Sequence, residues 1–280
     1  IYGVFTNTVT AGAMRGYSSP QLIFCSEQFY EEVAAELGMD LIAFKRLNML
    51  RTGSVNACGQ EMDAQIILPE ILDHLLEKTD FDKKRVAYKK QEGPVRRGIG
   101  ISTFYRGCGL GAESPDASAG FVCVHDDGSV MINGGITENG QGMKTSFTQI
   151  VAETLSVPPE IIHFIGVDTH TIPDSGITAA SRSTVMGAQS VKAAAEELKG
   201  YLLETAAMMF HTTPDKVELV EGMFRLTGVP DAVIPFQVVC NVHHWTGQQA
   251  GVMRWFKPPA LDFSMEKGYG KAFPTYSYGC

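Results

Sequence analysis

Ala119-Gly120-Phe121-Val122-Cys123-Val124-His125-Asp126-Asp127-Gly128-Ser129-Val130-Met131-Ile132 reads as a β-hairpin. Two runs rich in β-branched and aromatic residues flank an Asp-Asp-Gly turn, where glycine lets the chain reverse. Working outward, Ile99, Ile101 and Thr103 alternate as in a strand, Ile161 to Val167 reads as another, and Val217-Glu218-Leu219 faces Phe224-Arg225-Leu226 across Glu221-Gly222. Helical spacing runs from about Lys144 to Leu155 and from Val185 to Met209, with a turn led by Pro158-Pro159 between them. Upstream, Pro20 opens a helix through Leu37, with apolar Ile23, Val33, Ala34 and Leu37 and with Gly38 as its stop. Asp40 caps a shorter helix, Leu41 to Leu50, and Ile66 to Glu77 forms a third. Lys78 to Glu92 is charged and loosely patterned, a linker or domain boundary. Helices and hairpins mix without strict alternation, so the expected fold class is α+β rather than a doubly wound sheet.

The 280 residues, 44% hydrophobic and 19% charged, suit one large globular domain or two modest ones. A net charge of -8 excludes nonspecific nucleic-acid binding, which needs a basic surface. No apolar run approaches the ~20 residues that cross a bilayer, and no basic segment precedes an apolar one at the start, so no membrane association is expected. Cys25, Cys58, Cys108, Cys123, Cys240 and Cys280 form no C-x-x-C pair. They read as reduced, mostly buried thiols in a cytoplasmic protein. Ile1-Tyr2-Gly3-Val4-Phe5 and Thr275-Tyr276-Ser277-Tyr278-Gly279-Cys280 are both strand-like, which suggests a piece of a longer chain.

Two loops carry the chemistry. Gly134-Gly135-Ile136-Thr137-Glu138-Asn139-Gly140-Gln141-Gly142-Met143-Lys144-Thr145 places four glycines and several side-chain donors between a strand and a helix. Backbone N–H groups freed by glycine at a helix N-terminus suit an anionic group, a phosphate or pyrophosphate included. Asp174-Ser175-Gly176-Ile177-Thr178-Ala179-Ala180-Ser181-Arg182-Ser183-Thr184 likewise runs small and hydroxylated into a helix. Taken alone, the first loop equally fits an ordinary glycine turn, and Ser181 or Ser183 fits a plain helix N-cap.

Together with Ala13-Met14-Arg15-Gly16-Tyr17-Ser18-Ser19-Pro20-Gln21, the segments Gly140-Gln141-Gly142 and Thr178-Ala179-Ala180-Ser181-Arg182-Ser183 resemble the molybdenum-binding large subunit of the xanthine dehydrogenase and aldehyde oxidase family. The resemblance extends over nearly all of the chain and keeps the order of the motifs. It implies parts of two molybdopterin-binding domains: residues 1–92 as the C-terminal part of the first and 93–280 as the N-terminal part of the second. The implied cofactor is molybdenum-molybdopterin, as mononucleotide or cytosine dinucleotide. By motif, Arg15, Gly16, Gly140, Gln141, Gly142, Thr178, Ala179, Ala180, Ser181 and Ser183 would bind it. Tyr17 and Phe104 would face the substrate. No residue here is assigned as a metal ligand.

The resemblance implies hydroxylation of an N-heteroaromatic compound, such as xanthine or a nicotinate-like ring, with oxygen from water. Aldehyde oxidation and aromatic acyl-CoA reduction are the alternatives within the family, and noncatalytic pterin-cofactor binding is the alternative outside catalysis. The general-base glutamate of the family lies in a Gly-Glu loop expected outside this chain. Implied partners are the remainder of the molybdenum subunit and 2Fe-2S and FAD domains or subunits, besides a small-molecule substrate; alone, the chain is expected to be inactive. One departure concerns the glycine that relatives carry after the aromatic residue, where Ser18 stands here.

Without the motifs, Arg15 would read as a surface or ion-paired residue and Tyr17 as a core aromatic. His243-His244 reads as structural or surface, because neighbours point apart on a helix or strand. Asp168 and His170 read as loop hydrogen bonding, Met208-Met209 as core, and Trp255-Phe256 with Pro258-Pro259 as an interface or a core corner.

Overall fold

A computed structural model describes residues 4–9, 12, 14–114 and 116–280. Ala13 of the first motif and Ile1-Tyr2-Gly3 of the opening run lie outside the described residues. In chain order the elements are α1 (Ser19–Glu36), α2 (Leu41–Asn48), α3 (Leu68–Thr79), α4 (Phe81–Tyr88), β1 (Phe104–Cys108), β2 (Ser118–Val124), β3 (Val130–Gly134), α5 (Met143–Leu155), β4 (Ile162–Phe164), α6 (Ala188–Met209), β5 (Val217–Val220), β6 (Met223–Leu226), β7 (Val233–Pro235), α7 (Phe236–Trp245), β8 (Gly251–Phe256), β9 (Phe263–Ser264), β10 (Tyr269–Gly270) and β11 (Thr275–Gly279). The class is α+β, as the mixed pattern predicts. The chain forms two compact units, residues 1–107 with 262–280 and residues 108–261.

The second unit is built on the hairpin. β2 and β3 pair antiparallel with Val124 opposite Val130, and the sheet runs in the order β4-β3-β2-β8, with β4 parallel to β3. Alternate residues Val122, Val124, Val130 and Ile132 are buried with Phe147, Val151 and Leu155 of α5 and with Val191, Ala194, Leu198 and Leu202 of α6. The i, i+3, i+4, i+7 spacing on α6 is what lets one helical stripe cover the sheet. At Gly120 a Cβ would stand 2.5 Å from Val191 Cγ1, so a side chain there would push α6 off the sheet. The second hairpin also forms: β5 and β6 turn at Glu221 and Gly222, both with positive φ, and Phe224 stacks on Phe236.

The first unit has smaller apolar clusters. Ile42, Leu72 and Phe81 form one, and Met62, Ile66 and Leu68 another. Asp40 caps α2 through the amide of Ala43, and Glu27 ion-pairs with the buried Lys45. Tyr276 Oη donates to Gln60 Oε1 at 2.7 Å, tying β11 to the 56–62 segment.

Several local expectations change. Residues 78–92 hold α4, anchored by buried Phe81 and separated from α3 by left-handed Asp80. Burial of one aromatic ring outweighs a charged pattern. The strand expected at Ile99 to Thr103 begins at Phe104, and Ile99 and Ile101 pack instead on the Ile42 cluster. Of the apolar positions named on α1, only Ala34 is buried, and Leu37 is exposed. α7 was not legible, since its apolar run is short enough to be a strand. Met208 is exposed rather than core, and of the six cysteines only Cys108 and Cys240 are buried; none of the six is in a disulfide. His243 is a satisfied core histidine between Thr205 Oγ1 at 2.7 Å and Gln249 O at 3.0 Å. Asp168 caps its own loop at His170, and Trp255 is exposed on β8.

Candidate functional site

In the second unit the first loop leaves β3 through Gly134 and Gly135. A Cβ on Gly135 would lie 2.2 Å from Pro173 O and 2.3 Å from Ser175 Oγ, so the loop presses directly on the start of the second one. Ile136 is fully buried and pins the loop to the core. Beyond it the chain is held by Glu138, whose carboxylate accepts from the amides of Gly140 (2.8 Å), Gly142 (3.1 Å) and Lys144 (3.1 Å). The bonds from Lys144, then Gly142 and Gly140, hold this carboxyl below the usual glutamate range. Gly140 and Gly142 take φ of 94° and 84°, and each has open space where a side chain would begin.

Glu138 therefore caps α5 from within the loop. This corrects one expectation: the N–H groups that were to receive a phosphate already have an internal carboxylate. Gln141 is likewise engaged. Its Nε2 donates to Thr137 O at 3.0 Å and Ser183 Oγ at 3.1 Å, and its Oε1 accepts from Asn139 N at 2.6 Å. Both amide N–H donors are used, which leaves a carbonyl lone pair to meet a ligand.

The second loop is joined to the first at two points. Thr178 Oγ1 accepts from Thr137 N at 2.8 Å and donates to Thr137 O at 3.0 Å, and Ser183 meets Gln141. Between them Ala179 to Arg182 closes a tight turn, Arg182 N to Ala179 O at 2.8 Å, with Ala180 at φ 46° and Ser181 at φ 64°. Two consecutive non-glycine residues in the left-handed region cost about 1–3 kcal/mol each and persist only where surroundings enforce them. Enforcement comes from Gly109 N, which donates to Ala180 O at 2.7 Å, and from Arg182, which is 2% exposed and bonded to Asp116 Oδ1 at 2.6 Å. A π-helical turn, Ser183–Gly187, follows; neither Ser181 nor Ser183 caps it with its side chain. Ser181 itself is exposed.

In the first unit, Arg15, Gly16, Tyr17 and Ser18 form a turn that leads into α1. Gly16 has φ 102°, and a Cβ there would meet the Pro20 ring at 2.7 Å, so glycine is required twice over. Tyr17 and Ser18 take φ of 47° and 64°, a second left-handed pair without glycine, and the Tyr17 ring is 72% exposed. Ser18 thus occupies the conformation that glycine reaches most easily. Arg15 is exposed. Phe104 is half-buried, with its ring against the backbone of Gly279, where a Cβ would come within 2.4 Å.

Thr137, Gln141, Thr178 and Ser183 are thus one hydrogen-bonded group, with Gly140 and Gly142 beside it on the Glu138 cap. Glu138, Arg182 and Asp116 organise the site although the motifs assigned them nothing. The offset of Glu138 from the glycines could have flagged it; nothing in the sequence pairs residue 116 with 182. Among the described residues no three His, Cys, Asp or Glu side chains cluster as a metal site. With the Gly140 and Gly142 amides and both Gln141 Nε2 hydrogens already engaged, what the loops leave open to a ligand is neutral. It is the Gln141 carbonyl oxygen, the exposed Ser181 hydroxyl and the free space at Gly140 and Gly142, a set that suits an uncharged face of an organic cofactor.

Models of molybdopterin cofactor-binding domains match residues 1–49 and 74–280. The chain is 31% identical over 228 residues to the xanthine dehydrogenase molybdenum-binding subunit of Escherichia coli O157:H7, covering 81% of this chain and 30% of that protein. It is 34% identical over 279 residues to the aldehyde oxidoreductase of Megalodesulfovibrio gigas, covering 99% of this chain and 27% of that protein. The chain thus spans less than a third of the length of these relatives. The solved structure of aldehyde oxidoreductase from Desulfovibrio gigas superposes with a TM-score of 0.73 at 26% identity, over 95% of this chain and 26% of that one. Quinoline 2-oxidoreductase from Pseudomonas putida 86 shares the fold, with a TM-score of 0.76 at 20% identity over 96% of this chain and 35% of that one.

Proposed function

The chain belongs to the molybdenum-binding xanthine dehydrogenase and aldehyde oxidase family, and we propose that it forms the cofactor-holding part of a hydroxylase acting on an N-heteroaromatic compound, a purine such as xanthine or a nicotinate-like ring. The observation that carries the reading is the joining of the two motif loops through Thr137–Thr178 and Gln141–Ser183. Bound there, the molybdenum cofactor supplies transfer of oxygen from water and uptake of two electrons. In this reading Gly140, Gln141, Gly142, Thr178, Ala179, Ala180, Ser181 and Ser183 bind it from residues 93–280. Arg15 and Gly16 bind it from residues 1–92. Gln141 presents its carbonyl oxygen, Ser181 its hydroxyl, and Gly140 and Gly142 leave room for close approach. Tyr17 and Phe104 orient a flat substrate, and the exposed Tyr17 ring suits offset stacking.

Turnover then needs what this reading assigns elsewhere: the general-base glutamate, the remainder of the molybdenum subunit, and 2Fe-2S and FAD groups on partner domains or subunits. Without them the chain is inactive. Six cysteines outside any disulfide support a cytoplasmic setting, and among the described residues no helix is long and apolar enough to cross a membrane. Aldehyde oxidation is the second reading, favoured by the likeness to an aldehyde oxidoreductase over 99% of the chain.

The test is to produce the chain in a host that makes molybdopterin and to measure bound pterin and molybdenum per chain. Near-stoichiometric pterin is expected. A folded chain that carries none ends the cofactor reading. The difference in ligand affinity between wild type and Tyr17→Leu, measured by calorimetry with xanthine or nicotinate and with an aliphatic aldehyde, separates the two substrate classes, because only the flat ring should lose affinity with the Tyr17 ring.

A further inference from the structure

Arg182 stands inside the second motif, yet its guanidinium faces the core. Its side chain is 2% exposed and that of Asp116 5%. Nε donates to Asp116 Oδ1 at 2.6 Å; the terminal nitrogens donate to Ala117 O at 2.8 Å, Ser175 O at 2.7 Å and Ile177 O. Asp116 Oδ2 in turn accepts from Leu110 N at 2.8 Å, while the neighbouring Gly109 N reaches Ala180 O. One planar fork therefore gathers carbonyls from both sides of the bend at Gly176 and from the start of β2. Its counter-ion holds the segment that pins the left-handed turn. Gly109 and Gly176 have φ of 90° and 70°, and a Cβ on Gly109 would stand 2.8 Å from Asp116 Oδ2.

Stability alone accounts poorly for this pair, because apolar residues of similar volume often replace a buried ion pair without loss. What they cannot replace is five donors in a fixed plane, and a lysine, with a point charge, cannot either. We infer that the Arg182–Asp116 pair is a positioning device: it holds Ala180 and Ser181 left-handed and Ser183 against Gln141, and it offers no charge to a ligand. Arg182 touches no ligand in this arrangement. The inference rests on the cofactor reading only for its last readout.

Two variants test it in the 280-residue chain, R182K and the apolar double variant R182M/D116L. Amide hydrogen exchange is read at Gly109, bonded to Ala180 O, and at Thr137, bonded to Thr178 Oγ1, with the β2–β3 hairpin amides as internal control. Unfolding midpoint and bound pterin are measured alongside. Both variants should exchange about ten-fold faster or more at the two loop amides, with hairpin amides unchanged. The double variant leaves Leu110 N and three carbonyls without their partners, so its unfolding midpoint should fall; the gain in exchange at the loop amides over the hairpin amides, not the midpoint, reads the positioning role, and pterin should be lost with it. Wild-type exchange at both loop amides in a folded variant overturns the inference, whatever happens to pterin. A wild-type chain without pterin would end the cofactor reading and leave the exchange result standing. If R182K does not fold, the double variant decides; if the double variant does not, R182K does.

Discussion

The two loops of the second unit reach similar backbone shapes by opposite means. The loop at Gly134 to Thr145 uses glycine for its left-handed positions and is capped by Glu138 through bonds spanning two, four and six residues. The loop at Asp174 to Thr184 has glycine at one left-handed position, Gly176, but puts alanine and serine at two more and is held by Arg182 from partners 65 and 66 residues away. A left-handed position filled by glycine needs little from the rest of the fold. One filled by another residue must be held by tertiary structure, and the holding groups are buried.

The largest effect should come from breaking that hold. Asp116→Ala leaves a buried guanidinium without its counter-ion and should lower unfolding stability by about 3–5 kcal/mol in a urea titration. A loss below about 1 kcal/mol would mean that the second loop is as self-sufficient as the first.

Next comes the point where the loops press together. Gly135→Ala sets a methyl against Pro173 O and Ser175 Oγ, and overpacking there should cost about 1–3 kcal/mol. A variant as stable as wild type would show that the loops yield independently.

The contrast in backbone chemistry predicts opposite signs for two exchanges. Gly142→Ala meets no neighbour but must hold φ 84°, and should cost about 1–2 kcal/mol. Ala180→Gly relieves the same penalty at φ 46° against the entropy of glycine, and should fall within about 1 kcal/mol of wild type on the stabilising side. Thermal unfolding of the pair reads both signs, and like signs would refute the strain account.

The smallest effect is local and depends on pH. The carboxyl of Glu138 is held below its ordinary range by the amides of Lys144, Gly142 and Gly140. Its contribution is therefore complete above the ordinary glutamate range and is lost as pH falls through the depressed value. Protection of those three amides, taken relative to the intrinsic exchange rate at each pH, should fall on acidification, and Glu138→Gln should abolish that step. An unchanged pH profile in the glutamine variant would mean that another group controls the cap.

Legibility in the sequence follows the same division. The hairpin of β2 and β3, the cap at Asp40 and the turn at Glu221-Gly222 rest on neighbours in sequence, and all three form where the pattern puts them. The charged run at 78–92 misleads, because one buried ring, Phe81, decides for a helix. Leu37 and Met208 mislead in the other direction, since apolar character does not by itself supply a partner. Gly140 and Gly142 announce their positive φ by being glycine, whereas Tyr17, Ser18, Ala180 and Ser181 give no local sign of theirs.

By itself the sequence determined the α+β class, the hairpins, most of the helices and the motif residues that mark the family, because backbone preference and apolar period act over a few residues. Only the tertiary structure decided that Glu138 closes the end of α5, that Gln141 meets Ser183, and that Arg182 turns inward to Asp116. Those outcomes depend on which polar groups lose water together when distant segments pack, and a buried donor must then take whatever acceptor the fold brings to it.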